Sequence, residues 1–72
     1  MNKAELASLK AFFEASELPK SPIRLDGNTV IESPADFVVG HLEYVEANFA
    51  NRTAKPYYER LVKLRQIIEG HG

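Results

Sequence analysis

The sequence has no cysteine and no tryptophan, and its charges nearly cancel. Without cysteine, the chain can form neither a disulfide framework nor a thiolate metal site. Nine basic and ten acidic residues give a net charge of −1, so the whole chain has no field that would gather nucleic acid or an anionic membrane. No run approaches the ~20 apolar residues of a membrane-spanning helix. Since Met1 to Glu5 also lack the apolar run of a signal peptide, we predict a cytoplasmic protein without membrane contact.

The chain is long enough for one hydrophobic core and no more. Its 72 residues include 20 leucine, isoleucine, valine and phenylalanine residues. A domain of this size buries only ~60% of the surface that its unfolded chain exposes. A deep, enclosed active site does not fit in so small a volume, and we therefore predict a single domain that is not an enzyme.

Three stretches have the apolar spacing of amphipathic helices, at about residues 3–17, 34–49 and 55–69. Asn2 and Glu5 have the spacing of a capping box at the first start. Ser33, followed by proline, is a typical N-cap for the second. The second stretch has the widest apolar face, so we expect it to be the central helix. The fold class predicted is mainly α, a small three-helix domain.

Residues 18–33 form an irregular link between the first two helices, because prolines interrupt any helix there. Within it, 23–25 and 29–31 are short β-prone runs. Between them lie Gly27 and Asn28, which tolerate the positive φ of a tight turn. The link is predicted to be either extended or a miniature β-hairpin.

Several segments resemble a family of short, mainly helical bacterial proteins of uncharacterised function. They are Leu18-Pro19-Lys20, Arg24-Leu25-Asp26, the segment from Thr29-Val30-Ile31 to Phe37, and Tyr57-Tyr58-Glu59-Arg60-Leu61. The resemblance covers nearly the whole chain and implies a bacterial, cytosolic helical domain. It implies no catalytic residue, cofactor or substrate.

His41 is the residue best suited to metal binding or general-base catalysis. It lies in the middle of an apolar helix face, however, and the carboxylates nearest in sequence, Glu43 and Glu46, lie on other sides of that helix. The chain also has no HExxH spacing. We therefore expect a structural, hydrogen-bonded histidine in the core or at its boundary, with no metal and no cofactor.

Charge is divided unevenly along the chain. Residues 1–50 carry four basic and eight acidic side chains, a net charge of −4, while residues 51–72 carry five and two, a net charge of +3. The candidate partner-binding residues therefore lie in the C-terminal third: Arg52, Lys55, Tyr57, Tyr58, Arg60, Lys63 and Arg65. Cations beside tyrosines suit phosphate contacts and base stacking, but the helical spacing places these cations on both sides of the apolar stripe.

Two functional hypotheses follow. The first is a small interaction module, with self-association as its simplest form. It is motivated by the small core and by Val39 and Ile67, which fall outside the main apolar sectors of their helices. A stripe of alanines along the first helix also motivates it: Ala4, Ala7, Ala11 and Ala15. The alternative is weak nucleic-acid binding through the basic third helix.

Overall fold

A computed structural model describes the backbone of residues 1–71 and the side chains of residues 1–70. It contains three helices and one hairpin, so the prediction of a mainly α fold is confirmed. The elements in chain order are α1 (Lys3–Ala15), β1 (Ile23–Asp26), β2 (Thr29–Ile31), α2 (Pro34–Ala47) and α3 (Ala54–His71).

Helices α1 and α2 each end two residues before the predicted position, because a polar side chain caps a carbonyl group there. The Ser16 hydroxyl donates to the Phe12 carbonyl at 2.7 Å, while the Ser16 backbone turns to an extended conformation. The Asn48 side-chain amide donates to the Tyr44 carbonyl at 3.0 Å. Such local bonds compete with continuation of a helix. Helix α3, by contrast, starts one residue earlier than predicted and continues two residues further.

The two predicted N-caps behave differently. Asn2 Oδ1 accepts a hydrogen bond from the Glu5 backbone N–H at 2.8 Å, which confirms the cap of α1. The Glu5 carboxylate reaches back to the Asn2 side-chain amide, although in a capping box it would accept from the backbone N–H. Ser33 occupies the cap position of α2, but its side chain makes no capping bond. The start of α2 is therefore set by Pro34, whose fixed φ suits a first helical turn.

The link forms the hairpin alternative of the prediction. Strands β1 and β2 pair antiparallel, with an irregular register between Arg24 and Asp26. Leu25, at this irregularity, and Ile31 are buried in the core. The turn does not use positive φ, since no residue in the described part of the chain adopts it. Instead, the Arg24 guanidinium donates to the Gly27 carbonyl at 2.7 Å and holds the turn closed.

Helix α3, and not α2, is the centre of the fold. Helix α3 packs against α2, α1 and β1, whereas the backbones of α1 and α2 scarcely approach each other. Leu61 and Leu64 of α3 and Val45 of α2 are fully buried. The expectation that α2 is central was wrong because a wide apolar face need not be covered by neighbouring helices. The core comprises Leu6, Leu9, Phe13, Leu25, Ile31, Val38, Val45, Leu61 and Leu64.

Two residues expected outside the buried sectors have different environments. Ile67 is half-buried and packs on the core, contrary to the expectation, whereas Val39 is 56% exposed. The alanine stripe of α1 is solvent-exposed along its length. Among the described residues, no helix combines the length and the hydrophobicity that crossing a membrane requires.

Candidate functional site

Tyr57 and Arg60 lie on the side of α3 that faces α2. The Tyr57 ring stacks on Tyr44 with 4.2 Å between centroids, and the His41 ring centroid lies 4.9 Å away. The Arg60 guanidinium carbon lies over the same Tyr57 ring, 5.1 Å from its centroid. Because three side chains of the protein already surround Tyr57, this ring is poorly placed to stack on a nucleic-acid base.

Tyr58 and Arg65 lie on the other side of α3, facing α1. The Tyr58 hydroxyl donates to Glu5 Oε2 at 3.0 Å, and its pKa is raised by burial and by this bond to a carboxylate. The Arg65 guanidinium lies 4.7 Å from the Phe12 ring centroid and 3.6 Å from Glu69 Oε1. Both side chains therefore join α3 to neighbouring residues of the fold.

The remaining candidate cations do not connect these two sides. Arg52 lies in the α2–α3 connection, Lys55 in the first turn of α3, and Lys63 about two turns further along; all three are exposed. The structure thus brings Tyr57 together with Arg60, and Tyr58 close to Arg65, on opposite flanks of one helix. It does not gather the cations of the C-terminal third into one continuous band.

His41 lies between α2 and α3 with its ring stacked on Phe37, at 3.7 Å between centroids. Its Nδ1 is 2.8 Å from the Phe37 carbonyl oxygen. Since a carbonyl oxygen only accepts, Nδ1 carries the proton and donates, which leaves Nε2 as the acceptor of the neutral ring. Nε2 is buried and has no partner among the described residues. The prediction of a hydrogen-bonded histidine in the core or at its boundary is confirmed, and the half-buried ring lies at the boundary.

The surroundings of His41 favour its uncharged form. Burial lowers the pKa from the ordinary value of 6.5, and the nearby positive charge of Arg60 lowers it further, against the opposing effect of the Phe37 carbonyl. No carboxylate bonds to the ring, and the described residues include no group of three or more His, Cys, Asp or Glu that could hold a metal ion. A backbone carbonyl thus holds the ring, and no described side chain bonds to Nε2.

A groove runs between α1 and α2, where the two helices separate. Its apolar floor includes Phe13 and Val38, which belong to the core, and Val39, which is open to solvent. We call it the α1–α2 groove; it is lined by Lys10, Phe13, Glu14, Leu18, Ala35, Val38, Val39, Leu42, Glu43 and Glu46.

The rim of the α1–α2 groove is acidic. Three glutamates and one lysine line it, a net charge of −2. Lys10 Nζ lies 3.2 Å from Glu46 Oε1 and spans the groove from α1 to α2. Both side chains are nearly half exposed, so this ion pair contributes little to holding the helices together. The groove thus combines an apolar floor with unpaired carboxylates at Glu14 and Glu43, for which the described residues provide no ion-pair partner.

Sequence reasoning missed the groove as a site, although one signal was present. Val39 falls outside the main apolar sector of α2, and the structure leaves it exposed. What the sequence did not indicate is that Leu18 and Lys10 lie opposite this valine, since that depends on how far apart the two helices pack.

The chain matches a known protein family. A family model described as a domain of unknown function, DUF6965, matches residues 4–70. The chain belongs to this family. Membership of DUF6965 confirms the resemblance to an uncharacterised family, and the match includes residues of all five elements of the fold. Searches of curated proteins and of solved structures find no match.

Proposed function

We propose that this DUF6965 domain is a non-enzymatic interaction module of the bacterial cytoplasm, which binds another protein through the α1–α2 groove. The observation that carries the proposal is the exposure of Val39, 56%, next to the buried Phe13 and Val38 on the floor of a groove between two helices. Apolar patches that are rimmed by charge are typical of protein interaction sites.

The way in which the three helices pack supports this proposal. Helices α1 and α2 both pack on α3, so neither needs the other to bury its part of the core. Leu18 and Leu42, at the edges of the groove, remain only half-buried. A partner that covers these side chains would remove apolar surface from water, which favours association by roughly 25 cal/mol per Å².

Self-association is the simplest form of this function. Sedimentation velocity from 1 to about 500 µM distinguishes it from binding to a different protein, because the apparent mass of a self-associating domain rises with concentration. A mass that stays that of one chain removes self-association and leaves the binding of another protein.

A site-specific photo-crosslink tests the proposal itself. A photoreactive phenylalanine derivative replaces Val39 in cells that produce the protein. Illumination is expected to give a covalent adduct between this position and one discrete protein. Val30 is the matched control, since it is also an exposed valine, 43% exposed, but lies on β2 outside the groove. No adduct at position 39, or equal adducts at both positions, would contradict the proposal.

Nucleic-acid binding through the cations of α3 is the competing hypothesis. Arg60 and Arg65 each lie over an aromatic ring on opposite flanks of α3, so one nucleic-acid strand would reach only one of them. Titration against DNA and RNA at low salt decides the matter. We expect no binding tighter than about 1 mM; tighter binding that weakens steeply with salt would favour this hypothesis, because phosphate contacts release counterions.

A further inference from the structure

The acidic rim of the α1–α2 groove indicates what kind of protein occupies it. We propose, on the basis of the function proposed above, that the occupant is a basic amphipathic helix from a different protein chain. The first argument is charge. Lys10 is already paired with Glu46, whereas the carboxylates of Glu14 and Glu43 lie at the rim without an ion-pair partner in the described chain. Lysines or arginines flanking the apolar face of a partner would pair with them.

The second argument is the shape of the groove wall. The residues that α2 contributes are at positions 35, 38, 39, 42, 43 and 46. This spacing is one continuous stripe of a helix, and at 1.5 Å per residue it extends over roughly 16 Å, or about three turns. A helix of the same length with apolar residues at i, i+3, i+4 and i+7 matches such a stripe, as in other complexes in which a helix lies in a groove.

The third argument is that a second copy of this chain fits the groove poorly. A two-fold symmetric dimer through the groove would bring the acidic rim against the same rim of the partner, because such an interface uses one patch twice. Like charges in contact disfavour that arrangement. A head-to-tail contact with α3 fails for another reason: its outward residues Lys55, Lys63 and Gln66 are polar and offer no apolar anchor for the floor.

The Lys10–Glu46 ion pair can break when a partner binds in the groove. Both side chains are nearly half exposed, so exchanging Lys10 for a cation of the partner costs little. Glu46 then becomes a third carboxylate available to the bound helix. The groove therefore changes from a weakly bridged state to one that presents three carboxylates.

Two designed peptides of about 14 residues test this inference. Both carry leucine at i, i+3, i+4 and i+7; one has lysine at the remaining positions and the other has glutamate. Each is titrated into the isotope-labelled domain while amide chemical shifts are followed. The lysine peptide is expected to shift amides of residues 10–18 and 35–46 at saturable concentrations, and to bind several-fold more weakly when salt is raised from about 50 to about 500 mM. The glutamate peptide is expected to bind at least tenfold more weakly.

Three exposed positions provide the variants. Val39→Glu and Glu43→Lys are each expected to weaken binding of the lysine peptide at least tenfold, by removing the apolar contact and by reversing a rim charge. Val30→Glu is the matched control and is expected to bind like the wild type, since it adds a carboxylate outside the groove. Because all three positions are exposed, the folded spectrum is expected to be retained.

Several outcomes would overturn the inference of a basic helical partner and leave the proposed function intact. Equal binding of the two peptides at the groove would mean that apolar contact alone selects the partner. An adduct at position 39 in cells without any binding of the lysine peptide would exclude a basic helix. A dimer that Val39→Glu abolishes in sedimentation would identify a second copy as the occupant.

Discussion

Helix α2 has two faces that are built differently. Towards α3 it is closed: Val45 is fully buried, His41 and Tyr44 pack against the Tyr57 ring, and Phe37 stacks on His41. Towards α1 it is open, with Val39 exposed and one ion pair across the gap. Both faces carry large apolar side chains, so hydrophobicity alone does not distinguish them. The difference lies in whether another helix covers the face, and it decides which apolar side chains of α2 are buried and which remain exposed.

The largest effect is expected from truncation on the closed side. Leu61→Ala should lower the free energy of unfolding by about 2–5 kcal/mol, because it leaves a cavity at a fully buried position of the central helix. Small domains have little stability to lose, so the variant should be largely unfolded at modest temperature. Urea denaturation followed by circular dichroism measures the change. A loss below about 1 kcal/mol would mean that α3 is not the centre of the fold.

A matched pair of valines on α2 sharpens the comparison. Val45→Ala should cost about 2 kcal/mol, since it removes two buried methyl groups and leaves a space. Val39→Ala should leave stability unchanged or raise it by up to about 0.5 kcal/mol, because alanine is the better helix former at an exposed position. Both are measured by the same urea titration. Similar losses at the two positions would show that α1 covers Val39 in solution.

A smaller, pH-dependent effect is expected at His41. Its pKa is lowered in the folded state, so the unfolded chain binds more protons as the pH falls below 6.5. Stability should therefore be greatest above pH 6.5 and decrease as the pH falls from 6.5 towards the lower folded pKa, below which this contribution levels off. His41→Leu should remove this decrease, as seen in urea midpoints at pH 7.5, 6.5 and 5.5. His71 is present in both proteins, so its contribution to the pH dependence cancels in the comparison. Parallel pH profiles of the two proteins would contradict the attribution of the effect to His41.

The smallest effect is expected on the open side. Lys10→Gln should change the free energy of unfolding by less than about 0.5 kcal/mol, because the ion pair with Glu46 is exposed. The difference should vanish in 1 M salt, and thermal unfolding at low and high salt measures it. A loss above about 1 kcal/mol that persists in high salt would show that this ion pair closes the groove.

Local sequence signals predicted the elements of the fold well. The Asn2 cap, the proline at the start of α2 and the β-prone runs on either side of Gly27 act over a few residues, and all three elements form. The ends of α1 and α2 were predicted two residues late, because side-chain bonds from Ser16 and Asn48 decide them. Helical spacing gave no reason to place α3 at the centre, since it describes the width of an apolar face and not what covers it.

The candidate site was predictable only in part. Spacing already placed the cations of α3 on both sides of its apolar stripe, and the structure shows what each side contacts: Arg60 covers Tyr57, and Arg65 covers Phe12. The α1–α2 groove depends on the distance between two helices that are separated by a hairpin in sequence. Val39 was the only sequence signal for this groove, because it is an apolar residue outside the main apolar sector of α2.

The position of α3 has a consequence for how the domain is made. The helix on which α1, β1 and α2 pack follows all of them in the sequence. A ribosome adds about 5–20 residues per second, so the segment from the end of α2 to the end of α3 takes on the order of 1–5 s to synthesise. During that interval α1, the hairpin and α2 have no central helix to bury them. We therefore expect the nascent chain to acquire its core late and in one cooperative step.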